Sequence, residues 1–254
     1  MGIFDKFKKQ VSLPKETVNL SERISIFDTD YPIDKSNWFQ VYSACLGKAT
    51  VIQNACAGQV VKNRDWNADF EKGILAFGKD TFPVQFIGSE SSSGNSWMWG
   101  WNNINGFGDR LIKLAEETRE LGEKWNLEPL MTERFSLDDT FNAHNLSIVT
   151  CGISKEDYCY YRGPHAGGAV LMAFSNVPAF VFYPVDAPEF TTTVMNCIQQ
   201  KAVEHKIFVE SFLMWNGTKY EWEGDKIIAH FSVDLAVFFE KAGEFERIAS
   251  IKSI

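Results

Sequence analysis

The segment Ser96-Trp97-Met98-Trp99-Gly100-Trp101-Asn102-Asn103 alternates side chains with a period of two, and Asp109–Trp125 after it places apolar residues three and four apart. A period of two marks a strand, and a period near 3.6 marks a helix. In such a strand Trp97, Trp99 and Trp101 project to one face. In the helix, Leu111, Leu114, Ala115, Leu121 and Trp125 form one stripe, with Glu116, Glu117, Glu120 and Lys124 outside it. Glu120 stands four residues before Lys124, the spacing at which the two charges support each other. Indoles left in water would make an apolar patch that soluble monomers seldom carry. The expectation is a strand whose tryptophan face is covered by the helix that follows.

The same style extends to both sides. Upstream, residues 14–36 read as an irregular arm, and Trp38, Val41, Cys45, Ala49, Ile52 and Cys56 predict a helix from Asn37 to about Val61. Phe70–Phe77 and Thr81–Gly88 read as strands joined at Gly78-Lys79-Asp80, with a Ser/Gly loop from Ser89 to Asn95. Downstream, Ser136-Leu137-Asp138-Asp139 resembles a capping box for a helix reaching Cys151. Tyr158–Arg162 and Ala169–Phe174 form a hairpin, and Val177–Pro184 reads as a further strand. Thr191–His205 reads as a helix, and Phe208–Trp215, Lys219–Trp222 and Ile227–Val233 as strands, with Asn216-Gly217 as a hairpin turn. Leu235–Ile254 is expected to turn at Ala242-Gly243-Glu244. Tight turns between strands, with helices inserted between groups, predict an α+β fold of helices alternating with antiparallel β-meanders, in about three helix-plus-meander units. The expected division is a basic amphipathic tail (1–12), a main α+β domain (13–185) and a C-terminal α+β unit (186–254).

Composition narrows the functional classes. Among 254 residues, 21 Phe, 8 Trp and 7 Tyr point to sheets with ring-packed faces. A net charge of −8 without a basic patch outside the first few residues opposes nucleic-acid binding. Residues 1–12 carry Ile3, Phe4, Phe7 and Val11 at helical spacing with Lys6, Lys8 and Lys9 between them. Docking on the protein's own body, or simple fraying, is the leading reading of that tail, and contact with an anionic membrane the lesser one. No 18-residue apolar run or secretory leader is present, so a cytoplasmic protein is expected. The five cysteines, without a Cys-x-x-Cys pair, read as buried thiols in a reducing compartment.

Reactive constellations are missing from the sequence. His144, His165, His205 and His230 stand singly, and no zinc spacing, phosphate loop or Gly-x-Ser-x-Gly elbow occurs, so no metal, cofactor or catalytic residue is assigned. A Cys159–His165 pair reads more simply as a buried spacer and a turn residue. The carboxylates on the Asp109–Trp125 helix read as a solvated face. A pocket is sketched by Trp97, Trp99, Trp101 and Asn102 on one hairpin, converging with Arg162 and His165 at the mouth of the other.

Asp69-Phe70-Glu71-Lys72-Gly73-Ile74-Leu75-Ala76-Phe77 leads to Gln85-Phe86-Ile87-Gly88-Ser89, then to the Trp97–Asn103 segment and later to Tyr161-Arg162-Gly163-Pro164. This arrangement resembles an uncharacterised family of mostly bacterial proteins, catalogued only as a domain of unknown function, with a Gly-Ser…Trp-x-Trp-x-Trp-Asn motif. The resemblance covers about residues 40 to 180 and departs at Gly100, where an alanine-like residue is commoner. It implies a bacterial cytosolic protein and a shared fold, and brings no activity or site residues. The reading favoured by the sequence is a non-catalytic cytosolic binding or interaction protein, immunity- or adaptor-like, whose acidic balance suits a basic partner. Its rival is a small-molecule enzyme or ligand carrier using the pocket above.

Overall fold

A computed structural model describes residues 23–243 and 245–254. The tail read at residues 1–12 lies outside them. The described residues hold six α-helices and eleven strands, in antiparallel sheets with an α+β arrangement. They form two compact units, one of Ile52–Val181 and one of the described residues up to Val51 together with Phe182–Ile254. One division falls inside the first helix, and the other four residues before the expected one at 185/186.

The first unit is built on a seven-stranded sheet: β1 (Trp66–Asp69), β2 (Ile74–Phe77), β3 (Asp80–Ser91), β4 (Ser96–Trp99), β5 (Arg134–Ser136), β6 (Cys159–His165) and β7 (Gly168–Phe174). Strands β1 to β5 pair in sequence order, and β7 joins β3 to β6. Helices α2 (Asp109–Trp125), α3 (Glu128–Met131) and α4 (Ala143–Ile153) complete it, with the end of α1 (Trp38–Cys56) and the π-turn Ala57–Val61 that continues it. The helix read over Asn37–Val61 thus has its expected extent but changes its winding for the last turn.

Register fixes the two faces of this sheet. Tyr160, Ala173 and Gln85 stand in one row, followed by Arg162, Leu171, Gly88 and Trp99, then by Pro164, Ala169, Glu90, Trp97 and Phe135. Helices α2 and α4 cover this face: the amide N–H of Leu114 donates to Gln85 Oε1 at 3.1 Å, and His144 Nδ1 lies 3.4 Å from the Tyr160 hydroxyl. The opposite face carries Tyr161, Met172 and Phe86, and the β1–β2 hairpin folds over it through Phe77, 5.0 Å from Tyr161, and Trp66, 5.5 Å from the same ring.

The second unit holds most of α1, α5 (Ala187–Gln200), α6 (His205–Asn216) and a four-stranded sheet ordered β11-β10-β9-β8, from β8 (Tyr220–Glu223), β9 (Lys226–Ala229), β10 (Leu235–Ala242) and β11 (Phe245–Ser253). Gly47 lets α1 approach α6 closely, because a Cβ there would stand 2.6 Å from the Phe212 ring. The arm docks on this unit through Ile26, which packs with Ala44 and Ile207.

Several local expectations are corrected. Phe70–Gly73 is a turn, and the strand paired with β2 is β1. Strand β3 runs on to Ser91, shortening the Ser/Gly loop. Ser136 ends a strand and caps nothing; α4 starts seven residues later, where the Asn142 side chain accepts from the Asn145 N–H. Val177–Pro184 holds a short 3-10 turn, Ala179–Phe182. Phe208–Trp215 lies within α6 and is not a strand: it is buried on nearly every side, and periodicity cannot separate a buried strand from a buried helix. Asn216-Gly217 ends that helix, with Gly217 at φ 70° supplying the left-handed cap. Strands β6 and β7 extend into the glycine-rich loop, leaving only Ala166-Gly167 as the turn.

Candidate functional site

The three tryptophans do not share a face. The strand gives way after Trp99 to a 3-10 helix, Gly100–Asn102, and Gly100 lets the chain pass close to β3, because a Cβ there would stand 2.5 Å from the Phe86 carbonyl oxygen. Asn103, at φ 46°, closes that turn. Trp97 and Trp99 are 0% and 1% exposed, and their rings meet edge to face at 5.2 Å. Trp97 lies over Gly88, where a Cβ would be 2.5 Å from its ring; Trp99 donates its indole N–H to the Pro129 carbonyl at 2.9 Å. Both are core residues and offer no surface to a ligand. Trp101, half-buried, stacks under the Arg119 guanidinium at 4.8 Å. Asn102 donates to Glu133 Oε1 at 2.7 Å.

Arg162 and His165 stand on different faces of the sheet. Arg162 is on the helix-covered face and forms an ion pair with Glu90, reaching across β7 over Ala169. His165 is exposed at the hairpin end of the other face, where Nδ1 accepts from the Gly167 N–H at 3.1 Å. The residues read as one pocket are therefore split among the core, the Trp101 corner and the two sides of the sheet.

The other titratable groups are taken up by structural contacts. All five cysteines are buried. Burial first, and then the neighbouring Cys56, push the Cys159 thiol well up; burial also raises that of Cys197. Such thiols are poor nucleophiles. Glu210, 5% exposed, accepts from the Tyr31 hydroxyl at 2.5 Å and the Trp222 indole at 2.8 Å. Burial and this carboxylate raise the Tyr31 hydroxyl far above its ordinary range. On α2 the ion pairs that form are Lys113–Glu117 and Arg119–Glu123. Among the described residues no group of three His, Cys, Asp or Glu is placed to hold a metal ion.

What remains open is the far half of the face that the β1–β2 hairpin covers only in part. Register places Gly163, Val170, Ser89, Met98 and Arg134 in one row across β6-β7-β3-β4-β5, and His165, Gly168, Ser91, Ser96 and Ser136 in the next. Val170, Ser89, Met98 and Ser91 are half-buried, and Arg134, His165 and Ser136 are exposed. Trp66 bounds this surface, its ring 2.6 Å from where a Cβ at Gly163 would stand. No Lys, Asp or Glu occupies either row. Sequence reading expected the Trp97 and Trp99 side to be covered, as it is, but sketched its pocket there and gave no role to the opposite side, where half-buried Met98 lies.

A family model described as "Family of unknown function (DUF6882)" matches residues 40–177, more than half of the chain. The chain belongs to that family. The match takes in the tryptophan strand, α2, α4 and the β6–β7 hairpin, and so every strand of the open face. No match to a curated protein or to a solved structure was found. No described helix is long and apolar enough to cross a membrane.

Proposed function

We propose that the chain is a non-catalytic binding protein of a reducing, cytoplasmic compartment, and that it meets a protein partner through the open half of the large sheet. The observation that carries this reading is the composition of that face. Protein interfaces are enriched in Trp, Tyr, Met and Arg and depleted in Lys, Asp and Glu at their centres. Trp66, Tyr161, Met98 and Arg134 lie at or beside the face, and the two open rows hold no Lys, Asp or Glu. Antiparallel sheets commonly leave one face to water, but then it usually alternates to polar and charged side chains. A half-buried methionine and valine in the middle of such a face suit an adaptable contact. The buried thiols and the Arg162–Glu90 pair support the same reading, since both serve the fold.

The test is purification of the tagged full-length chain under native conditions, with partner stoichiometry read by native mass spectrometry. A stoichiometric partner should be lost with Met98→Asp and kept with Glu116→Lys on the outer side of α2. A partner insensitive to Met98→Asp sinks the proposed face. A thermal shift with a small metabolite, and no partner, would favour the ligand-carrier alternative instead.

A further inference from the structure

We infer that the partner segment seated on the open sheet face is acidic; this rests on the binding reading above and adds the partner's chemistry. The chain as a whole carries −8, which by itself points to a basic partner. Contact is governed locally, and locally the face is rich in donors and lacks carboxylates. Of the seven arginines, Arg64, Arg119, Arg162 and Arg247 pair with carboxylates, while Arg23 and Arg110 donate to backbone carbonyls. Arg134 differs: among the described residues the exposed guanidinium meets only the Ser96 hydroxyl, at 3.3 Å. A guanidinium presents a planar fork of donors that matches a carboxylate, so most of the Arg134 donors are left for an outside acceptor.

Two further donors face the same way. His165 Nδ1 accepts from the Gly167 N–H, which leaves Nε2 as the donor of this exposed ring. The hydroxyl of Ser89, half-buried between Val170 and Met98, has no hydrogen-bond partner among the described residues. Arg134 on β5 and His165 on β6 stand four strand spacings apart, about 19 Å. One small anion cannot reach both, whereas a polypeptide segment of six or so residues can. Met98, Val170 and Trp66 between them supply apolar contact. The match is an extended segment carrying carboxylates toward each end and apolar or aromatic groups between. A nucleic acid is the poorer match, because a single arginine releases few counterions.

The test titrates the full chain into three fluorescein-labelled decapeptides in which tyrosine alternates with glutamate, glutamine or lysine, read by fluorescence anisotropy. The glutamate peptide should bind about tenfold more tightly than the glutamine peptide, the scale of one charge-assisted bidentate contact, and the lysine peptide more weakly still. Arg134→Gln should erase the preference and Arg134→Lys should keep part of it; because Arg134 is exposed, both variants should fold, which an unchanged melting temperature verifies. Equal binding of the three peptides, a preference that survives Arg134→Gln, or tighter binding of an oligothymidylate overturns the inference. Equal binding of the three peptides that is lost with Met98→Asp would refute the acidic partner alone and leave the face standing. If no peptide binds, the acidic partner is refuted, and Met98→Asp in the native complex decides separately whether the face survives.

Discussion

His205 shows how one side chain can close a gap in a sheet. Strand β11 bulges where Phe238 pairs with Ser250 but Phe239 pairs with Ile248, and the Ile248 N–H turns away from β10. His205, the first residue of α6, accepts that N–H on Nδ1 at 2.9 Å. Burial, and secondarily the nearby Arg247, hold its pKa below the usual 6.5. A basic group whose folded-state pKa is lowered binds fewer protons folded than unfolded. Its contribution to stability is whole above about pH 6.5, shrinks as pH falls below that value, and is gone below the lowered folded-state pKa. Protonation also removes the lone pair that accepts from Ile248. The melting temperature of the native chain should therefore drop more between pH 7 and pH 5 than that of His205→Gln. Parallel pH profiles for the two would show that this histidine does not couple to stability.

At the scale of elements, two side-chain amides each bracket the N–H and carbonyl of one residue. Gln53, near the end of α1, accepts from the Tyr160 N–H at 2.9 Å and donates to the Tyr160 carbonyl at 2.8 Å, standing in for a missing strand beside the outer edge of β6. Further along that edge, Pro164 has no N–H to offer, so the strand cannot recruit another chain. Asn216 holds the N–H and carbonyl of Val185 in the same way, at 2.7 and 3.0 Å. Gln53→Ala removes both hydrogen bonds to Tyr160, a buried residue, and should cost about 2 kcal/mol in denaturant-derived stability, with Gln53→Glu costing less because it keeps the acceptor. A loss under about 0.5 kcal/mol would show that water replaces the amide at this edge.

Clear single-period segments were legible from the sequence: α2 has the expected bounds, and β10 ends and β11 begins on either side of the turn expected after Ala242. Phe208–Trp215 was not, because a segment buried on every side loses the alternation that tells helix from strand. Trp101 was misplaced for a different reason, a backbone approach at Gly100 that no periodicity encodes. The pocket drawn through Trp99, Arg162 and His165 failed on register, since neighbouring positions on a strand point to opposite faces and the ion partner of Arg162 comes from Glu90, 72 residues away.

For the molecule as a whole, the first unit carries a sheet covered by helices on one side and left half-open on the other, and the family match spans the strands of that open side. The second unit also has an exposed aromatic residue, Phe245, 70% exposed at the tip of the β10–β11 hairpin. The two surfaces make opposite predictions about where a partner sits. The decisive measurement is photo-crosslinking in the native complex with benzoylphenylalanine placed in turn at Met98, Val170, Glu116 and Phe245. Contact through the open sheet face predicts one discrete crosslinked partner from Met98 and Val170 and none from Glu116 or Phe245. A partner crosslinked from Phe245 alone would contradict it and move the binding surface to the second unit.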